Sequence, residues 1–507
     1  MSDLQQKPEQ EKTLSPQEAP KRAEDLGLPL FMMVLWSGLL SILSVANPFL
    51  TSLANNLQSQ NLYAGWAMSQ GQVAYGHFYG NSGLLYYLID WLGSLFMGQI
   101  LFAALEFFAL LFAGVYLFRL TYLLTGKEKL AQKILPLLYL LVLTLGFGGL
   151  YASIFVLPFI LWGAYFVARY SHNQTRDKTF ILFGAVGALA FMIEPVTSVL
   201  FYVLSFIVLT IFNIARKRKA RGLYQLLADL FGFSLVFYPL GYLTVWNGSF
   251  GFAISQVTYP WDSLSFSHGG LLGNLLLYLG LALALGFFSA IFMALGPSDN
   301  KNDWPVRLLA ILGLLASLII NILRPDQGAY QLLVSLPFAM ILLIFWLNRG
   351  FQEAAGRHSR SRRRPSVFRS YFAASFFLPL LAMIYLVVAP LVQTYILEGQ
   401  ETNERSKVAL YIKDKAKKSD KIYAWDKTAS LYQASGHLSA ASILSPSLYL
   451  GTSENKIALS NQLGDNGAKY ILVNKDVELL DDVKKQLGSN YEEVDLQLSQ
   501  FQLYQLK

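Results

Sequence analysis

Five carboxylates lie between the first and last apolar runs and away from the basic turns: Asp90, Glu106, Glu194, Asp262 and Asp326. A carboxylate held within about 3 Å of a hydroxyl, and ionised there, can take its proton. Arg324, two residues before Asp326, supplies the complementary chemistry, because a guanidinium grips a phosphate through paired hydrogen bonds. A salt bridge to Asp326 is the competing use of that arginine. No Asp-x-Asp pair on that side, no His-Glu-x-x-His and no Walker loop accompanies them, so no cofactor is required, and a metal ion is compatible with the site but not indicated.

Asp90 follows Tyr86 by four residues and Tyr87 by three, which places the trio on one helical face, and as the first acid after the uncharged loop it is the leading catalytic candidate. Its competing role is a helix-packing carboxylate. Asp262, in Tyr259-Pro-Trp-Asp-Ser, is the second catalytic candidate, expected on a long loop whose aromatic residues suit stacking on sugars; an Asx turn is the alternative. Glu194 precedes Pro195 at the end of an apolar run, where an ionisable residue is costly and therefore a functional suspect. Glu106 sits within a run and can equally be paired inside the bundle, while Asp229 falls toward the opposite end of its run. His77 and His268 titrate near neutral pH and could bind phosphate, although lone histidines more often serve packing.

These residues need elements to position them. The chain has 507 residues, 54% of them hydrophobic and 14% charged, and the charged share is well below soluble usage. About eleven apolar runs, mostly of roughly 17–25 residues, are long enough to cross a membrane as helices. They lie near Leu28–Ala46, Gln99–Leu124, Ile134–Phe147, Tyr151–Tyr170, Phe180–Glu194, Val196–Ile214, Leu226–Trp246, Leu271–Leu295, Val306–Leu323, Gln331–Leu347 and Tyr371–Ile396. The fold class expected is a polytopic α-helical membrane protein. The net charge of +8 sits in turns that fall on one side if the runs alternate, above all Arg349–Arg369 and Arg216–Arg221. That is the positive-inside pattern rather than a nucleic-acid surface. It places the N-terminus in the cytoplasm and the C-terminus outside.

Residues 1–25 predict a disordered cytoplasmic tail, and 26–399 a transmembrane domain. Residues 400–507 predict a small extracytoplasmic α/β domain, with strands at Lys421–Trp425, Tyr470–Val473, Tyr491–Leu498 and Phe501–Leu506. Helices are expected around Arg405–Lys417, Thr428–Ser435 and Val477–Leu487. The absence of cysteine excludes disulfides and thiolate chemistry. Between the first two runs, Pro48–Ser82 contains no Lys, Arg, Asp or Glu, yet is crowded with Asn, Gln, Ser, Gly and Tyr. The extracytoplasmic loop 47–82 therefore reads as the lining of a pocket, with a short helix at Leu62–Met68 ended by Gly71.

Within that loop, Tyr63, Ala67, Gly71, Tyr75 and Gly83-Leu84-Leu85-Tyr86 fit a recurring frame. It resembles the first outer loop of the GT-C superfamily, multi-spanning glycosyltransferases that use polyprenyl-phosphate-linked sugars, and in particular the bacterial family 39 type. Arg324-Pro-Asp-Gln-Gly-Ala-Tyr330, leading to Leu336-Pro337, is similar to the family's basic residue, tyrosine and Leu-Pro helix start. Asp420–His437 is similar to its strand, loop and Tyr-x-x-Ser-Gly segment. The resemblance covers most of residues 28–507 in layout. It implies that Asn61, Tyr63, Tyr75, His77, Tyr79, Glu194, Arg324, Asp326 and Tyr330 bind substrate. It also implies an inverting hexosyltransferase, with a polyprenyl-phosphate-linked sugar, membrane lipids and a surface glycan, wall polymer or teichoic acid as partners, in a bacterial cell membrane.

One departure matters. Family members place a catalytic acid in the first outer loop, where this chain has Asn61, and an amide cannot act as a base. Another carboxylate must then serve, with Asp90 and Asp262 foremost. The alternatives are a catalytically degenerate relative that binds a lipid-linked sugar as a partner subunit, and a transporter or flippase. The absence of internal repeats weakens the transporter.

Overall fold

The computed structural model describes residues 24, 26–95, 99–296, 300–356, 367–465 and 467–507. Apart from Glu24, the tail expected over 1–25 lies outside the described residues, as do Arg357, Arg360, Arg362, Arg363 and Arg364. The chain opens with α1 (Leu30–Ile42), α2 (Asn56–Ser69), α3 (Leu84–Ser94), α4 (Ile100–Thr125), α5 (Glu128–Leu145) and α6 (Ala152–Ser171). There follow α7 (Thr179–Ile193), α8 (Pro195–Ala215), α9 (Lys219–Trp246), α10 (Phe250–Asp262), α11 (Leu271–Ala284) and α12 (Phe287–Ala294). Then come α13 (Trp304–Leu323), α14 (Leu336–Gly356), α15 (Val367–Ala374) and α16 (Leu378–Val392), which runs on through a π turn at Gln393–Leu397 into α17 (Gly399–Lys415). The last part holds β1 (Lys421–Trp425), α18 (Ser430–Ser435), α19 (Ser453–Gly464), β2 (Ala468–Asn474), α20 (Asp481–Asn490), β3 (Tyr491–Val494) and β4 (Phe501–Leu506).

Each apolar run named above contains an α-helix, although the run over Tyr371–Ile396 is interrupted at 375–377 between α15 and α16. Among the described residues, six helices are long and apolar enough to span a membrane, or up to seven if the bent pair α11–α12 counts as one span. The length criterion is thus met six or seven times where about eleven runs are expected. Three of the others, α1, α7 and the Leu336–Gly350 part of α14, are shorter apolar helices. The run expected as one helix over Leu271–Leu295 breaks with a 62° bend, where Gly286 adopts φ +75°, a left-handed conformation that glycine enters without a Cβ penalty.

The bundle has two chemically distinct ends. At one, Arg221 pairs with Asp177, Arg216 donates to Asn302, Arg218 to Asn173, and His172 meets Asp303. At the other lie the 43–83 connection, the α5–α6, α7–α8 and α9–α10 turns, the segment after α13, and the C-terminal domain. That domain is a mixed four-stranded sheet in the order β1-β2-β4-β3, with β1 parallel to β2 and the remaining pairs antiparallel. β1 falls where its apolar run and β4 where its alternation places it, whereas α19 has no counterpart in the sequence reading. A buried ion network ties α17 to the sheet: Arg405 holds Asp426 at 2.6 and 3.2 Å, and Asn474 donates to both Asp426 and Glu401. Every member keeps a partner, as buried charge requires.

The domain is seated on the first connection. Ala429 N–H donates to Ser59, Gln433 to the Leu62 carbonyl, Ser439 N–H to the Tyr63 hydroxyl, and Tyr79 N–H to the Ser442 carbonyl. α2 is longer than the expected Leu62–Met68 because Asn55 and Gln58 form a reciprocal capping box, which starts the helix at Asn56.

Candidate functional site

A cavity of about 70 Å³ opens at the non-basic end of the bundle, beneath the C-terminal domain. Asn61 on α2, Glu194 between α7 and α8, and Arg324, Asp326 and Tyr330 after α13 all line it. Five of the residues expected to bind substrate are therefore drawn from three distant parts of the sequence to one place. Asn81, Ser82, Tyr151, Gln331 and Tyr449 join them.

Local chemistry explains each position. Pro325 disfavours helical backbone at the residue before it, so α13 stops and Arg324 turns extended, at φ −77° and ψ 141°. Asn274 fixes the turn by donating to the Arg324 carbonyl at 2.6 Å, and Gln331 donates to the Asp326 carbonyl at 3.0 Å. Arg324 is only 6% exposed, and its Nε has no hydrogen-bond partner. Among the described residues it forms no salt-bridge contact with Asp326, although its charge acts on that carboxylate. A buried guanidinium with an unused donor is costly unless a ligand or water completes it.

The two carboxylates of the cavity differ in their commitments. Glu194 caps α8: its oxygens accept from Val196 N–H at 3.2 Å and Thr197 N–H at 2.6 Å. Burial raises its pKa, opposed by the Thr197 hydroxyl and N–H, by Arg324 and by Val196 N–H. Burial likewise raises Asp326, opposed by the charge of Arg324 and one backbone N–H from Tyr449. Asp326 therefore keeps more of its acceptor capacity for a ligand.

The roof comes from the C-terminal domain. Tyr449 packs on Tyr79 and Tyr259, with ring centroids 4.9 and 5.6 Å away, and Gly451 N–H donates to the Tyr259 hydroxyl. Tyr449 is held at φ +69°, a strained conformation for a residue with a Cβ. Tyr151 stacks on Tyr330 at 5.1 Å and accepts from Asn55 at 2.6 Å. On the far wall, Gly83 N–H donates to the Ile193 carbonyl, which brings Asn81 and Ser82 beside Glu194. A Cβ on Gly83 would lie 2.2 Å from the Met192 backbone. Gly83→Ala is accordingly expected to cost about 1–3 kcal/mol of stability, read as a lowered melting temperature in detergent. An unchanged melting temperature would show that this close approach is dispensable.

Other expected site residues serve elsewhere. Asp90 is buried, its Oδ2 has no partner, and burial raises its pKa. Asp262 ends a helix rather than lying on a long loop; it is exposed and accepts from Thr258 at 2.6 Å. Neither lines the cavity. His77 is exposed and accepts from Val73 N–H, closing a turn, and Tyr75 donates to the Ser82 carbonyl. Tyr63 is buried and binds the C-terminal domain, while Tyr79 belongs to the aromatic roof. Glu106 accepts from Leu150 N–H and the Ser44 hydroxyl, pinning the Gly146–Leu150 turn whose Leu150 carbonyl in turn receives Asn61 and Tyr86. Among the described residues, no three His, Asp or Glu side chains gather as metal ligands.

Residues 21–398 match the family described as "Putative competence-induced protein Ccs4 N-terminal domain", and residues 402–507 match "Putative competence-induced protein Ccs4 C-terminal domain". The chain belongs to the Ccs4 family. No curated protein matches it in sequence. Among solved structures, it is similar to ArnT from Cupriavidus metallidurans bound to undecaprenyl phosphate, with a TM-score of 0.57 and 14% identity over 94% of this chain and 97% of that one. The apo state of the same protein aligns with a TM-score of 0.55 and 13% identity over the same shares. At this identity the likeness shows that the chain shares the fold of ArnT. Fold alone does not fix chemistry.

Proposed function

We propose that this Ccs4-family protein is a membrane glycosyltransferase that moves a sugar from a polyprenyl phosphate to a cell-surface glycan, wall polymer or teichoic acid. The observation that carries the reading is the buried Arg324 guanidinium, its Nε unpartnered, beside Asp326 in a cavity roofed by the C-terminal domain. The undecaprenyl phosphate bound by the structurally similar ArnT supports a lipid phosphate as the ligand of that arginine. In the proposed step the acceptor hydroxyl gives its proton to the Asp326 carboxylate as its oxygen forms a bond to the anomeric carbon. The bond from that carbon to the phosphate oxygen breaks, and the phosphate keeps the electron pair, stabilised by Arg324. Attack opposite the leaving group inverts the anomeric centre. Asp326 thus takes the role given by sequence to Asp90 and Asp262.

At about 70 Å³ the cavity is smaller than the roughly 300–1,000 Å³ of ordinary ligand pockets, so admission of the sugar requires the roof at Tyr449 to move. About eleven crossings, with the basic end in the cytoplasm of a bacterium and the C-terminal domain outside, complete the proposal.

The test is reconstitution in proteoliposomes with a polyprenyl-phosphate hexose and isolated surface glycans. A covalent hexosyl product with release of polyprenyl phosphate is expected. Movement of the lipid-linked sugar across the bilayer with no product would mark a flippase. Tight lipid binding with neither outcome would mark a degenerate binding subunit.

A further inference from the structure

A second cavity, of about 350 Å³, lies on the other face of α2. Leu57 and Asn61 face the charged cavity, whereas Ser59 and Leu62 face this one. At about 100° per residue these pairs point to opposite sides of the helix. Hydroxyl side chains make up more than half of the second lining, among them Thr51, Thr394, Thr402, Thr428 and Ser430, with the Gln433 amide beside them. Its two charged residues are already engaged: Arg405 by Asp426, and Glu398 by Gln393 at 2.6 Å. Such a lining offers both donors and acceptors but no free charge, which suits a neutral polyol. The wall includes the π turn that ends the last apolar helix, and Tyr395, Ile396 and Leu397 on that turn are exposed. The cavity therefore joins an apolar, lipid-facing surface to a polar interior.

We propose that this cavity binds the neutral saccharide headgroup of a lipid-anchored glycan, as a site separate from the charged cavity. As the acceptor's anchoring site it rests on the transferase reading above. It would hold the acceptor across the thickness of α2, about 10 Å, from the reacting hydroxyl. Binding at a remote part of a substrate supplies energy that orients the reacting part.

The experiment uses the full chain in nanodiscs and native mass spectrometry, with three probes: diglucosyl diacylglycerol, free maltose and undecaprenyl phosphate. Ala434→Trp, at an exposed position on the rim, narrows the cavity without disturbing a core, and Thr402→Val with Ser430→Ala removes two hydroxyls. Either variant is expected to weaken the glycolipid at least tenfold and leave undecaprenyl phosphate within twofold of the unaltered protein. Maltose is expected to bind at least 100-fold more weakly than the glycolipid. Equal affinity for maltose would overturn the lipid-anchored source. Unaltered protein that binds undecaprenyl phosphate but not the glycolipid, or variants that bind the glycolipid normally, would overturn the site. Glycolipid binding sensitive to both variants, without undecaprenyl phosphate binding, would leave this site standing and sink the transferase reading.

Discussion

Arg324→Ala is expected to weaken polyprenyl phosphate binding by about 30- to 5,000-fold, equivalent to about 2–5 kcal/mol for removing one partner of a buried charged contact. The reason is geometric. Arg324 is buried at the end of α13, its Nε is unpartnered, and the opposing carboxylates Glu194 and Asp326 do not close on it. Arg324→Lys keeps the charge but loses the planar fork, so it is expected to recover only part of the affinity. The variant should remain folded, because the hydrogen bond that fixes this turn is made by the Arg324 backbone carbonyl, not by its side chain. Native mass spectrometry of undecaprenyl phosphate binding reads the effect. Full affinity in Arg324→Ala would remove the phosphate role.

Asp326→Asn is expected to lower the rate of transfer by about 10²–10⁴ while lipid phosphate affinity stays within a few-fold, because a general base acts in the transition state and not in holding the lipid. The pH dependence follows from its environment. Burial holds the folded pKa of Asp326 above the ordinary carboxylate value. As a base it works only when ionised, so transfer should rise with pH through that raised pKa and then level off. Stability runs the other way. A group whose folded pKa exceeds its unfolded one stabilises the fold fully below the unfolded pKa, about 3.9, and that contribution is lost as pH climbs through the folded pKa. Asp326→Asn should flatten both trends. A variant that keeps the rising limb of the rate profile would pass the role to Glu194, whose pKa is raised by burial but whose oxygens are taken by the α8 cap.

Much of the fold was legible because its signals are local. Apolar runs mark helices wherever the lipid or the bundle demands them, and the alternation in Phe501–Leu506 marks an inner strand of the C-terminal sheet. Arg324, Asp326 and Glu194 stood out as charges at apolar ends, which is a cost that sequence alone exposes. The contributors that escaped notice carry no such mark. Tyr449 enters the cavity from a loop whose left-handed backbone is set by packing against Tyr79 and Tyr259. Asn81 and Ser82 reach it only because Gly83 lets two backbones touch. Asp90 and Asp262 lie outside the cavity for the opposite reason: helical spacing and aromatic neighbours describe a face, not what that face meets. α3 turns Asp90 into protein, and the end of α10 leaves Asp262 in the open.

The most direct measurement compares the surface glycans and lipid-linked sugars of a strain lacking this protein with the same strain carrying the unaltered chain or Asp326→Asn, by mass spectrometry. The account predicts that one hexose-type substituent disappears on deletion while its polyprenyl-phosphate donor accumulates. It also predicts that the unaltered chain restores the substituent and Asp326→Asn does not. An unchanged glycan profile on deletion, or full restoration by Asp326→Asn, would contradict it.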